Sequence, residues 1–178
     1  MNFAPTSGPI GVQPNGGLFR MVNKQGSTLA IGDVVMLSFK HTSAEYVVNP
    51  TSDADLRKSP FACVVKADGV LSGSPLANYV GVVTDLGSYG GLDNTEVTVQ
   101  FGGVVNASAK AITNNIVLGS TLFIGDATIS PSTVGLMVNA GGSTDPDGPA
   151  AIALNATALT AGNTGTIPVL LFNAPVVL

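Results

Sequence analysis

The residues in this chain that could do chemistry are few: one histidine (His41), one cysteine (Cys63), two glutamates and nine aspartates. A hydrolytic triad would have to recruit His41, which follows an apolar run in SFKHTS, and no serine lies in a G-x-S-x-G elbow. His41 therefore reads as a strand-end residue. A thiol nucleophile would need a base beside Cys63, but the setting FACVV is that of a small buried hydrophobe.

Two carboxylate pairs, Asp53/Asp55 and Asp145/Asp147, have the spacing to share acid and base roles. Both lie in turn-like contexts, SDAD and TDPDGP, where aspartate is favoured because its side chain bonds the adjacent backbone. TDPDGPAAIALN begins like a calcium loop but lacks the third early ligand and the closing glutamate. FGGVVNASAK does not fit the GxxxxGK[ST] pattern of a phosphate-binding loop, and the residues after it keep strand periodicity instead of opening a helix. Tyr46, Tyr79 and Tyr89 could line a sugar-binding surface, although three scattered aromatics are ordinary and core or interface packing is the better reading. The reading is of a non-enzyme with no cofactor and no metal.

The elements that would position these residues are strands. Short apolar runs alternate with turn clusters: GLFRMV, GDVVMLSFK, EYVVN, FACVVKA, YVGVVTDL, then STLFIGDATI, VGLMVN, AAIALNATAL and TIPVLLF. Several are apolar on both faces, notably Val34, Val35, Met36 and Leu37, which implies strands covered on both sides. Only SDADLRKSP and PLANYVG could give a turn or two of helix. The expected fold is all-β: a single β-barrel or β-sandwich domain over 18–178, with little helix and an extended N-terminal arm over 1–17. Phe3, Ile10 and Val12 are the arm's candidate contact residues.

In TEVTVQFGGVVNASA, residues 95–109, the glycine pair Gly102 and Gly103 poses a choice between a hairpin and a bent strand. A two-residue hairpin would set Val99 against Asn106 and Val97 against Ser108, apolar against polar. One continuous strand keeps Val97, Val99, Phe101, Val105, Ala107 and Ala109 in phase, with Val104 alone out of it. The pair therefore reads as the bend of a long strand.

Charged residues make up only 10% of the chain, and its net charge is −4. Every lysine and arginine lies at or before Lys110, so no basic patch is available for phosphates, and a nucleic-acid partner is set aside. The apolar run IPVLLFNAPVVL is too short for a membrane-spanning helix, and the N-terminus does not read as a signal peptide, so no membrane role is expected.

The order GDVVML, YVGVVTDLG, TEVTVQFGGVVNASA and LGSTLFIGDATI, spread over residues 26–135, resembles the capsid decoration (cement) proteins of tailed bacteriophages. The glycine-punctuated strand and the G-x-x-L-[FY] segment at Gly119–Phe123 carry the likeness, and the chain beyond Pro131 departs from it. The resemblance implies a homotrimer, made in the host cytoplasm, that fastens neighbouring copies of the major capsid protein on the outer surface of the virion. It carries over no catalytic residue. A receptor- or carbohydrate-binding domain of a phage tail is the alternative.

Overall fold

The structure is a computed structural model that describes residues 17–37, 63–68, 80–125, 131–139 and 149–172. Within them lie ten strands: β1 (Gly17–Asn23), β2 (Val34–Leu37), β3 (Cys63–Lys66), β4 (Val80–Asp85), β5 (Glu96–Phe101), β6 (Gly103–Lys110), β7 (Thr121–Ile124), β8 (Met137–Val138), β9 (Ala151–Ala153) and β10 (Thr164–Leu171). Helical structure among the described residues is confined to two three-residue 3-10 turns, Gly87–Tyr89 and Pro131–Thr133. The short helices considered for SDADLRKSP and PLANYVG fall outside the described residues, apart from the last two positions of the latter, Val80 and Gly81, which begin β4.

The all-β expectation holds, and closure is achieved twice. Barrel A has the strand order β1-β3-β2-β4-β5 and barrel B the order β10-β6-β8-β7-β9, both closed. Taking strands in chain order, the two are the same barrel. The first strand runs parallel to the third (β1 with β3, β6 with β8) and antiparallel to the fifth (β1 with β5, β6 with β10). The second pairs antiparallel with the third and the fourth in each case. Closure removes the open sheet edges that so uncharged a chain could not otherwise protect.

The correspondence extends to single hydrogen bonds. Leu29-Ala30-Ile31-Gly32-Asp33 leads into β2, and Ile116-Val117-Leu118-Gly119-Ser120 leads into β7. Leu29 and Ile116 are buried, and Gly32 and Gly119 have φ of 91° and 83°, a region open to glycine at little steric cost. Asp33 Oδ2 accepts from the Ala30 amide at 2.8 Å, and Ser120 Oγ accepts from the Val117 amide at 2.9 Å. The amides of Gly32 and Gly119 each donate at 2.8 Å to the fourth strand of their barrel, at Val83 and Ala153.

The two barrels join at the glycine pair. The single long strand expected across residues 95–109 is instead two: β5 and β6 do not pair with each other, the chain bends at Gly102, and each strand finds its partners in its own barrel. Gly102 and Gly103 have φ of 92° and 74°. The inward phase survives the bend, since Val97, Val99, Val105, Ala107 and Ala109 are all buried and Val104 is exposed.

The core explains the doubly apolar run in β2. Val35 faces into barrel A with Met21, Leu29, Val64, Val83, Val97 and Val99. Val34 and Met36 face outward, yet they are buried, in one cluster with Val65, Val80, Val82 and the interior of barrel B. β2, β3 and β4 are thus covered on one side by their own barrel and on the other by its neighbour.

Candidate functional site

The sequence candidates divide sharply by position. Phe3, Ile10, Val12, His41, Tyr46, Asp53, Asp55, Tyr79, Asp145 and Asp147 lie outside the described residues. Cys63 is fully buried in β3, away from solvent. No group of three or more His, Cys, Asp or Glu among the described residues could hold a metal ion. Gly17, expected to end the arm over 1–17, instead begins β1 and lies opposite Phe101, so segment 1–16 joins the chain there, and β10 sets Leu171 opposite Gly103. Both ends of the described chain therefore meet at the interbarrel bend.

Two kinds of surface present groups to solvent. The first is apolar. Ile31 is 59% exposed and Leu118 66% exposed, and they occupy the same position in the equivalent turns of barrels A and B. Neither barrel needs an aliphatic side chain there, because the turn is held by its backbone bonds, the buried residue two positions earlier and the Asp33 or Ser120 acceptor. Val117 adds to the barrel B tip. Sequence reading missed this pair; its signal is the shared pattern of an apolar residue, two further residues, Gly, and a short oxygen-bearing side chain.

The second surface is a groove of about 750 Å³ on barrel A, along the outer side of the β1–β5 ladder. Arg20, Val22 and Lys24 from β1 and its end, Glu96 and Thr98 from β5, Asp85 at the end of β4 and Tyr89 from the β4–β5 connection line it. Lys24 Nζ donates to Asn94 Oδ1 at 2.7 Å, so this cation is engaged. Two cations, Arg20 and Lys24, and two carboxylates, Asp85 and Glu96, give the groove no net charge.

The connection that carries Tyr89 is rigidly built. Asp85 Oδ1 accepts from the Gly87 amide at 2.7 Å, and the Gly91 amide donates to the Leu86 carbonyl at 2.9 Å. Gly87, Gly90, Gly91 and Asn94 all have positive φ. A Cβ at Gly87 would lie 2.7 Å from the Glu96 carbonyl oxygen, which makes glycine necessary at this approach. The ring of Tyr89, 69% exposed, is thereby held outward at the rim of the groove. In barrel B the matching connection, Leu154 to Asn163, contains neither a charged nor an aromatic residue, so barrel closure alone does not demand this chemistry.

Comparison with protein-family models, with curated proteins and with solved structures finds no match to this chain.

Proposed function

We propose that the protein is a structural virion component that decorates the outer surface of an icosahedral phage capsid and fastens neighbouring major capsid proteins. The observation that carries the reading is the repeated exposure of an aliphatic side chain, Ile31 and Leu118, at equivalent turns of two barrels that differ elsewhere. Two alike tips on one chain suit two alike acceptors, which a lattice of identical subunits supplies. Burying one such side chain contributes roughly 1.5–3 kcal/mol, and many copies on one shell act together by multivalency. Segment 1–16, with Phe3, Ile10 and Val12, is assigned to the same contact. Attachment is apolar and therefore tolerant of salt, because screening acts on charges that this chain scarcely has.

The experiment is co-sedimentation with expanded empty shells assembled from a tailed-phage major capsid protein. The full chain is expected to pellet with shells at low and high salt, and deletion of 1–16 or the double change Ile31→Ser with Leu118→Ser to release it. Failure of the full chain to pellet overturns the reading, and a steep loss between low and moderate salt overturns its apolar basis. Full retention after deletion of 1–16 removes that segment from it.

A second reading, a carbohydrate-binding domain, draws on Tyr89. An exposed ring beside a neutral groove of amide, hydroxyl and charged groups is suited to stack on a sugar and bond its hydroxyls. Saturation-transfer NMR with maltohexaose, cellohexaose and chitohexaose tests it: binding lost in Tyr89→Ala favours this reading, and no binding to any of the three removes it.

A further inference from the structure

One cation in the barrel A groove is left without a counter-charge. β1 sets Arg20 opposite Thr98, and β4 sets Asp85 opposite the same Thr98 from the other side, so the three lie in a row across the outer face of the sheet. Two strand spacings, about 10 Å, separate the strand of Arg20 from that of Asp85. Asp85 gives its Oδ1 to the Gly87 amide at 2.7 Å instead. Arg20 is exposed and makes no hydrogen bond or ion pair among the described residues.

Barrel closure does not call for this cation. The Gly32 and Gly119 amides, donating to Val83 and Ala153, mark those two as equivalent positions. From them the ladders run to Val99 and Phe19 in barrel A and to Val169 and Val105 in barrel B. One step along each strand, Asn106 and Pro168 stand where Arg20 and Thr98 do. The unpaired guanidinium and the exposed Tyr89 ring are thus both peculiar to barrel A, and both line one groove.

What the groove offers decides the class of ligand. A guanidinium forks onto a carboxylate or a phosphate. A phosphate monoester carries nearly twice the charge of a carboxylate and would meet Asp85 and Glu96 in the same groove. A neutral sugar would leave the Arg20 charge unanswered. A sugar acid matches the whole set: one carboxylate for Arg20, hydroxyls for Asp85 and Thr98, and an apolar ring face for Tyr89. With a net charge of −4 the chain has no general attraction for polyanions, so such a ligand needs a local site.

We propose that this groove prefers an acidic saccharide, a chain of hexuronate residues, with Arg20 holding a carboxylate and Tyr89 stacking on a ring. This preference rests on the carbohydrate reading of the groove and adds to it the charge of the ligand. It is independent of the capsid reading, which rests on Ile31 and Leu118.

The test is titration of the full chain, followed by NMR, with hexamers of galacturonate, mannuronate and guluronate, each beside its methyl ester, and with maltohexaose. At least one hexuronate is expected to bind about tenfold more tightly than its ester and than maltohexaose, the margin of a charge-assisted bond over a neutral one. Arg20→Gln is expected to remove that margin and Arg20→Lys to keep part of it. Tyr89→Ala is expected to weaken acid and ester alike, and circular dichroism shows that each variant is folded. Equal binding of acid, ester and maltohexaose overturns the preference and leaves the carbohydrate reading standing, whereas no binding of any saccharide overturns both. A margin that survives in folded Arg20→Gln overturns the proposal, as does hexuronate binding that Tyr89→Ala leaves unchanged.

Discussion

Ser108 donates its amide to the carbonyl of Gly32 at 2.8 Å, and a Cβ at Gly32 would lie at the same distance, 2.8 Å, from Ser108 Oγ. One glycine thus serves both the local turn of barrel A and its seat on barrel B. Gly119 has the same backbone conformation in barrel B, but its Cβ position is open. This makes a matched pair of substitutions. Gly119→Ala is expected to cost about 1 kcal/mol, the backbone penalty alone. Gly32→Ala is expected to cost about 2–3 kcal/mol, since overpacking at the barrel contact adds to that penalty. Urea midpoints with equal slopes would measure the difference, and equal losses would contradict it.

Asp33 performs two tasks where Ser120 performs one. Its Oδ2 accepts from the Ala30 amide and also lies 3.1 Å from Lys66 Nζ. Asp33→Ala removes both and is expected to cost about 1–2 kcal/mol, the upper part of the range for a part-buried hydrogen bond to a charged acceptor. Asp33→Ser installs the solution that barrel B uses, keeping the turn bond and losing the ion pair. Its expected loss is no more than half as large. Thermal melts of the two variants side by side check the order, and a Ser variant as unstable as the Ala variant would mean that the ion pair holds the turn.

Gly81 has an ordinary φ, and space alone demands it. A Cβ there would sit 2.4 Å from Val99 Cγ1 and 2.9 Å from Phe101 Cε1, so the strand is kept bare to let Phe101 lie across it. Gly81→Ala is expected to destabilise by about 1–3 kcal/mol and to shift the Phe101 ring. Phe101→Leu in the same chain should recover part of the loss, which a double-mutant cycle of denaturant midpoints would register as a coupling.

The strands were legible and the duplication was not, for physical reasons. Each apolar run that falls among the described residues contains a strand, because period-two burial and turn chemistry are local properties written over a few residues. Phase argued against a hairpin at Gly102 and Gly103, since a hairpin would oppose Val97 to Ser108, but it could not show that the pair divides the run between two barrels instead of bending one long strand. Which strands close a barrel depends instead on pairings between distant segments, such as β1 with β5 and β6 with β10, and no local pattern specifies them. The repeat itself was hidden by chemistry that conserves a role and changes the residue. Leu29 and Ile116 share apolar burial, Asp33 and Ser120 share an acceptor oxygen, and only Gly32 and Gly119 are identical. The outward faces of Val34 and Met36 were readable as covered, but the cover proved to be another barrel of the same chain. The groove escaped notice because Arg20, Asp85, Tyr89 and Glu96 are far apart in sequence and converge only when β1 and β5 pair. Phe3, Ile10 and Val12 stand out in sequence only by apolar character in a proline- and glycine-rich segment, and they lie outside the described residues.

Asn23 closes β1 from a fully buried position, and its orientation is fixed by its partners. Its Nδ2 donates to the carbonyls of Ser27 at 2.8 Å and Gly91 at 2.9 Å, while its Oδ1 accepts from the Gln25 amide at 2.8 Å. Asn23→Asp keeps the shape and turns a two-fold donor into an acceptor facing two carbonyl oxygens. Burial and those oxygens both disfavour the charged form, so the introduced carboxyl has its folded-state pKa raised above its unfolded value of about 3.9. The sign follows from linkage: in its protonated form the group can still donate one bond, and that stability is present at low pH and lost as pH rises through the folded-state pKa. The variant is expected to lose about 2–4 kcal/mol at neutral pH and to recover part of it on acidification toward pH ~4, within the range for a buried polar group left unpaired. Melting curves of wild type and variant across that interval decide the matter. A gap that stays constant with pH would show that Asn23 is not held by donation to Ser27 and Gly91.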